Sequence, residues 1–172
     1  MNYIERTLER KFLRMNEAFK AIMVVGARQV GKSTMLKHFA KMQNRTVVSM
    51  DDARLRDLAK TDPVLFFQMY RPPILIDEVQ KAPELFEQIK IICDNSSEKG
   101  LFWLTGSQSK KLMKQAGDSL AGRICILKMY SLSQKEIAGI QADDPMELSF
   151  DSLRRRSEAF PKNNILDVFS HI

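Results

Sequence analysis

Apolar residues Ile4, Leu8, Phe12, Met15 and Phe19 recur at three- and four-residue spacings among many charges, which predicts an amphipathic helix over Ile4 to Phe19. The period then changes. Ala21-Ile22-Met23-Val24-Val25 is a short apolar run that meets Gly26 and a loop, and helical spacing resumes from Ser33 to Lys41 through Leu36 and Phe39. Thr46 to Met50 fits a second strand ending at Asp51-Asp52, and Leu55, Leu58 and Ala59 suggest a helix stopping near Lys60. Asp62 followed by Pro63 is an N-cap and first-turn pair for a short helix over Val64 to Tyr70. Ile74-Leu75-Ile76 is a fully apolar third strand running into Asp77-Glu78, and Pro83 opens a helix whose face is Leu85, Phe86, Ile89 and Ile92. Leu101 to Leu104 makes a fourth strand, followed by Thr105-Gly106-Ser107 and a polar helix around Ser109 to Gln115, and Ile124 to Leu127 makes a fifth. Ser133-Gln134-Lys135-Glu136 matches a capping box that starts one more helix, fading at Gly139.

Apolar strands that alternate with helices require a parallel sheet covered on both faces. The expected fold class is therefore α/β, a five-stranded parallel sheet as the middle of three layers. From Gln141 onward the pattern turns polar and acidic, then basic, before apolar residues return at Ile165, Leu166, Val168 and Phe169. This stretch reads as a linker plus an incomplete element.

Composition narrows the classes. A chain of 172 residues with 44% hydrophobic content suits one compact domain and a tail. No run of eighteen apolar residues occurs and the N-terminus lacks the succession of a signal peptide, so a soluble, cytoplasmic protein is expected. Cys93 and Cys125 have no second ligand at metal spacing and read as reduced thiols. The net charge of +6 suits a protein that handles polyphosphate or touches nucleic acid. Its densest basic spots, Lys110-Lys111 with Lys114 and Arg154-Arg155-Arg156, carry no interleaved aromatics for stacking bases, so nucleic acid is only a minor partner reading. His38 and His171 have no evident partner in the sequence and read as solvated.

The chemistry concentrates at Gly26-Ala27-Arg28-Gln29-Val30-Gly31-Lys32-Ser33, which fits G-x-x-x-x-G-K-[ST] between a predicted strand and a predicted helix. Gly26 and Gly31 let the loop curl so that successive backbone N–H groups point at phosphate oxygens, and the helix N-terminus adds its positive end. Lys32 is expected to reach the β- and γ-phosphates of ATP, the Ser33 hydroxyl to coordinate Mg2+, and Thr34 to lie beside the α-phosphate. Arg28, at the loop tip, can meet nucleotide, a partner or loop acids. Asp77 and Glu78 end an apolar strand at the edge where open α/β sheets bind ligands. Asp77 is placed to hold magnesium through its water shell, and Glu78 to orient the attacking water. In a sheet where the fourth strand lies between the first and third, Thr105 or Ser107 is placed to hydrogen-bond the γ-phosphate or that water; a turn with Ser107 as N-cap of the next helix is the alternative. Arg123 reads either as a charge clamp on a neighbouring subunit's nucleotide or as a surface ion pair.

Gly26 to Thr34, Leu75 to Pro83, Leu104-Thr105-Gly106-Ser107-Gln108 and Ser119 to Arg123 together resemble bacterial and archaeal AAA-type ATPases that join an N-terminal P-loop domain to a C-terminal domain of unknown function. The resemblance implies a three-layer P-loop NTPase with strand order 5-1-4-3-2. It also implies a division into an ATPase domain at 1–140, with the lead-in helix in 1–20, and a linker or truncated tail at 141–172 leading toward a further domain. What it implies for function is an ATP-binding, ATP-hydrolysing domain that couples nucleotide state to an attached domain or partner, with self-association through Arg123 or the tail. The alternatives are a nucleotide-gated binding module with little hydrolysis and a small-molecule kinase. The kinase needs an arginine-bearing lid that does not stand out before the fifth strand.

Overall fold

A computed structural model of the chain describes residues 3–107, 110–139 and 154. Contacts part the chain into Met1–Gln141 and Ala142–Ile172, and the description below concerns the first of these units. Gln108, the expected linker at 141–172 with its apolar residues Ile165, Leu166, Val168 and Phe169, and His171 lie outside the described residues.

The elements run α1 (Leu8–Ala18), β1 (Ala21–Gly26), α2 (Lys32–Met42), β2 (Thr46–Ser49), α3 (Ala53–Thr61), α4 (Pro63–Met69), β3 (Ile74–Asp77), α5 (Leu85–Asp94), β4 (Phe102–Ser107), α6 (Lys110–Ser119), β5 (Ile124–Met129) and α7 (Gln134–Ile137). A short 3-10 turn over Val79–Lys81 follows β3. All four strand pairings are parallel and the order is β2-β3-β4-β1-β5, which is the expected 5-1-4-3-2 read from the other edge.

Alternation along the strands sorts the core into two layers, because successive side chains leave a strand on opposite faces. Ala21, Met23 and Val25 of β1 pack with Phe66, Phe67, Phe86, Ile89, Ala116 and Leu120, so α4, α5 and α6 cover that face. Ile22 and Val24 pack instead with Phe12, Met35, Leu36 and Phe39, which places α1 and α2 on the other. Leu75 of β3 and Trp103 of β4 belong to this second layer, so Asp77 and Thr105, each two residues farther on, face the helix that follows the phosphate-type loop.

Several boundaries differ from the sequence-based expectation for identifiable reasons. The lead-in helix begins at Leu8 rather than Ile4, because the backbone N–H of Arg6 and the hydroxyl of Tyr3 are both taken by Glu9 Oε1, at 2.7 and 2.5 Å. Thr105, Gly106 and Ser107 lie inside β4, not after it: they continue the ladder against Val24, Val25 and Gly26. The N-cap reading of Ser107 thus gives way to a strand residue. Helix α5 starts at Leu85, two residues after Pro83, since the 3-10 turn occupies the preceding segment. Both caps read from sequence at Asp62 and Ser133 are present, the latter as a reciprocal capping box with Glu136. No helix among the described residues is long and apolar enough to cross a membrane.

Candidate functional site

The ends of β1, β3 and β4 converge at one edge of the sheet. There a cavity of about 570 Å³ is lined by Arg28, Gln29, Gly31, Lys32, Ser33, Thr34, Asp51, Glu78, Gln80, Lys81 and Ser107. The loop between β1 and α2 curls tightly enough that two of its residues adopt left-handed backbone, Gln29 at φ 61° and Gly31 at φ 95°. Gly31 fulfils the conformational role expected of it. Gly26 has a different reason to be glycine. It is the last residue of β1, outside the left-handed region, and a Cβ placed on it would lie 2.3 Å from the backbone oxygen of Met129 on β5. The close approach of a neighbouring strand, not the curl of the loop, excludes a side chain at that position.

Lys32 is buried, and its ammonium donates to the carbonyls of Gly26 at 3.2 Å and Ala27 at 2.6 Å. Its charge is thereby centred over the loop. The Ser33 hydroxyl donates to Asp77 Oδ1 at 2.5 Å, which brings the two expected magnesium ligands into contact across α2 and β3. Both are hard oxygen donors of the kind magnesium takes in small number beside nucleotide phosphates. Asp77 is itself buried, and Lys37, one turn along α2 from Ser33, places its ammonium 2.9 Å from Oδ2. Burial alone would raise the Asp77 pKa, but hydrogen bonds from Lys37, Ser33 and Thr105 hold it below the ordinary carboxylate value.

Thr105 and Ser107 separate cleanly. Thr105 is fully buried, donates its hydroxyl to Asp77 Oδ1, and accepts the backbone N–H of Glu78 at 2.9 Å. It braces the two carboxylate residues from beneath. Ser107, two residues toward the strand end on the same face, lines the cavity with Lys32 and Ser33. Glu78 also lines the cavity, with left-handed backbone at φ 58° and ψ 45°, a conformation that a non-glycine residue keeps only where its surroundings enforce it. Its Oε2 accepts a hydrogen bond from Gln80.

Arg123 stands apart. Its carbonyl accepts the N–H of Ala21 at the start of β1, so it sits at the opposite end of the sheet, roughly 17 Å of strand rise from the loop that follows Gly26. Its guanidinium is a fork on Asp94, with Nη2 to Oδ2 at 3.0 Å. Within this chain Arg123 thus forms the surface ion pair. His38 does have a partner: its ring stacks on Tyr3, centroids 4.0 Å apart and 12° from parallel. Cys93 and Cys125 are free thiols, and burial pushes the Cys93 pKa up to about 11.

Three groups of the site were not singled out from sequence. Lys37 was hidden as one lysine on a helix, although its i+4 spacing from Ser33 put both on one face. Gln80 lay in plain view in Asp77-Glu78-Val79-Gln80 without its own role. In sequence Arg6 is one of many charges in the lead-in segment. It is buried instead, donating to the loop carbonyl of Val30 at 2.7 Å and to Tyr130 O at 2.8 Å, and pairing with Glu136 at 3.2 Å. One guanidinium thus ties the N-terminal segment, the phosphate-type loop and the segment after β5. No periodicity announces such a contact, because its partners are backbone oxygens remote in sequence.

The model of a protein family described as "AAA domain" matches residues 18–138. An uncharacterized protein of Mycobacterium tuberculosis is 29% identical over 126 residues, covering 71% of this chain and 27% of that protein. The chain thus spans about a quarter of the length of this curated relative. Among solved structures, the DnaC helicase loader aligns at 16% identity over 75% of this chain and 94% of its own, with a TM-score of 0.49. A DNA replication initiation factor aligns at 17% identity over 96% of this chain and 53% of its own, also with a TM-score of 0.49.

Proposed function

The chain belongs to the AAA domain family, and on that premise we propose that it binds ATP with magnesium and hydrolyses it, coupling nucleotide state to an attached domain or partner. The observation that carries the reading is the convergence of Lys32, Ser33, Glu78 and Ser107 on one cavity, with Asp77 hydrogen-bonded to Ser33 behind them, beside a loop whose backbone curls around a buried ammonium. In this reading the Lys32 ammonium and the N-terminus of α2 take the phosphate charge. Thr34 lies toward the α-phosphate and Ser107 toward the γ end. Ser33 and Asp77 would hold magnesium, which supplies charge neutralisation on the phosphates. Glu78 polarises and aims the attacking water. Phosphoryl transfer through a loose transition state needs positioning and charge stabilisation above all, and the site is equipped for both.

Arg6 gives the coupling half of the proposal a physical route. It grips the loop through Val30 and the post-β5 segment through Tyr130 and Glu136, so displacement of one is felt by the other. The placement of Arg123 at the far end of the sheet leaves Arg28 as the one arginine lining the described cavity, which favours slow turnover by a single chain and keeps a nucleotide-gated module as the second reading. Phosphate release decides between them. The wild-type chain with magnesium and ATP is expected to release phosphate in multiple turnovers while Glu78→Gln binds ATP without turnover; equal release by the two would assign the water to another residue, and binding without release by wild type would leave the gated module.

A further inference from the structure

We propose that Gln80 is a positioning residue for Glu78, fixing which carboxylate oxygen is offered to the attacking water. The inference rests on the hydrolysis reading above and deepens it. The side-chain amide of Gln80 donates from Nε2 to Glu78 Oε2 across two residues of a 3-10 turn. Which end of the amide faces Glu78 follows from charge, because two oxygens in contact would repel where a nitrogen donates. One oxygen of the carboxylate is held and the other stays available.

The rest of the Gln80 side chain is placed as if that one bond were its purpose. Its Oε1 is buried and accepts no hydrogen bond from the described residues, an arrangement that destabilises a folded protein and is uncommon in one. The carbonyl lies against β4 at Gly106, where an added Cβ would come within 3.0 Å of it, and Leu112 of α6 closes the same spot. Gly106 is therefore a socket that admits the amide. A residue chosen for packing at this position would be apolar. An amide kept with half of its hydrogen-bonding capacity unused points to the half that is used.

Glu78 has little else to orient it. Its backbone is pinned in a left-handed conformation by the bond from its N–H to Thr105, which sets where the side chain starts but not where the carboxylate faces. Gln80 supplies that second constraint.

The test is steady-state phosphate release by the whole chain in three variants, with a fluorescent ATP analogue for affinity and a melting curve for folding. Gln80→Met keeps the length and removes the amide. It is expected to lower kcat about tenfold or more, while analogue affinity stays within about twofold and the melting temperature does not fall. Gln80→Met made in the Glu78→Gln background is expected to change the residual rate less than about twofold, because the carboxylate it positions is already gone. A purely structural role lowers the rate in both backgrounds. Unchanged kcat in Gln80→Met alone, or an equal fall in both backgrounds, overturns the role of Gln80 and leaves hydrolysis standing. Release by Glu78→Gln equal to that of wild type removes Glu78 from the water and the role of Gln80 with it; wild-type release no greater than the background without protein overturns the hydrolysis reading, and the inference with it.

Discussion

Replacing Thr105 with valine removes one oxygen from a fully buried position and changes almost nothing in shape. Two hydrogen bonds go with it: the one donated to Asp77 Oδ1 and the one accepted from the Glu78 N–H at 2.9 Å. A bond to a charged acceptor contributes roughly 1.5–3 kcal/mol, and an amide left without a partner costs about 1–3 kcal/mol more. Asp77 retains Ser33 and Lys37, and Glu78 is only half-buried, so the lower part of each range applies. The strand-end geometry adds to the loss, because the Thr105 bond helps to hold Glu78 in its left-handed conformation. The expected destabilisation is about 3 kcal/mol. Thr105→Ser keeps the hydroxyl and deletes a buried methyl, at a cost of about 1 kcal/mol. Urea unfolding of the two variants and wild type, followed by far-UV circular dichroism, reads the difference directly. If valine and serine destabilise equally, the hydroxyl braces nothing and Thr105 is simply a core residue.

Three further outcomes follow from contacts elsewhere. Gly26→Ala drives a Cβ into the Met129 carbonyl and is expected to cost at least about 2 kcal/mol, read as a fall in melting temperature of roughly 6–10 °C for a domain of this size; a drop under 2 °C would mean that β5 shifts freely. Burial alone would raise the Glu136 pKa, but backbone N–H groups of Ser133 and Thr7 and the Arg6 guanidinium bring it down to about 2. A folded-state pKa below the unfolded value of 4.5 gives stability that is full above pH 4.5 and lost as pH falls toward 2. The gap between wild type and Glu136→Gln should then reach up to about 3 kcal/mol at pH 7, shrink to about 1 kcal/mol by pH 2.5 and close only below pH 2 in urea titrations, whereas a pH-independent gap would contradict it. Arg123→Ala should leave ATP affinity unchanged within about twofold in an isolated chain, since its ion pair lies at the far end of the sheet; a larger loss by equilibrium titration would place it at the nucleotide.

The sequence disclosed the parts of this molecule that repeat or punctuate. Five apolar runs separated by helical spacing were enough for a parallel sheet with two covered faces, and Gly31-Lys32-Ser33 between strand and helix marked the loop. Strand order came from a family resemblance, because periodicity carries no information on which strands are neighbours. What stayed hidden depends on contacts between remote residues. Whether Thr105 and Ser107 belong to β4 or to the loop after it is decided only by pairing with β1. The steric demand at Gly26 comes from a strand that arrives about a hundred residues later, at Met129. Arg6 and Lys37 look like surface charges until their partners are placed, and only the strand pairings show that Arg123 lies far from this chain's own loop.

The most direct measurement of the central claim is isothermal titration of ATP with magnesium into the wild-type chain and into Lys32→Ala, each checked for folding by its melting curve. The account predicts saturable one-to-one binding by wild type, and a loss of at least about tenfold in affinity when the ammonium over Gly26 and Ala27 is removed. Absence of binding by wild type, or equal affinity in a folded Lys32→Ala, would contradict it.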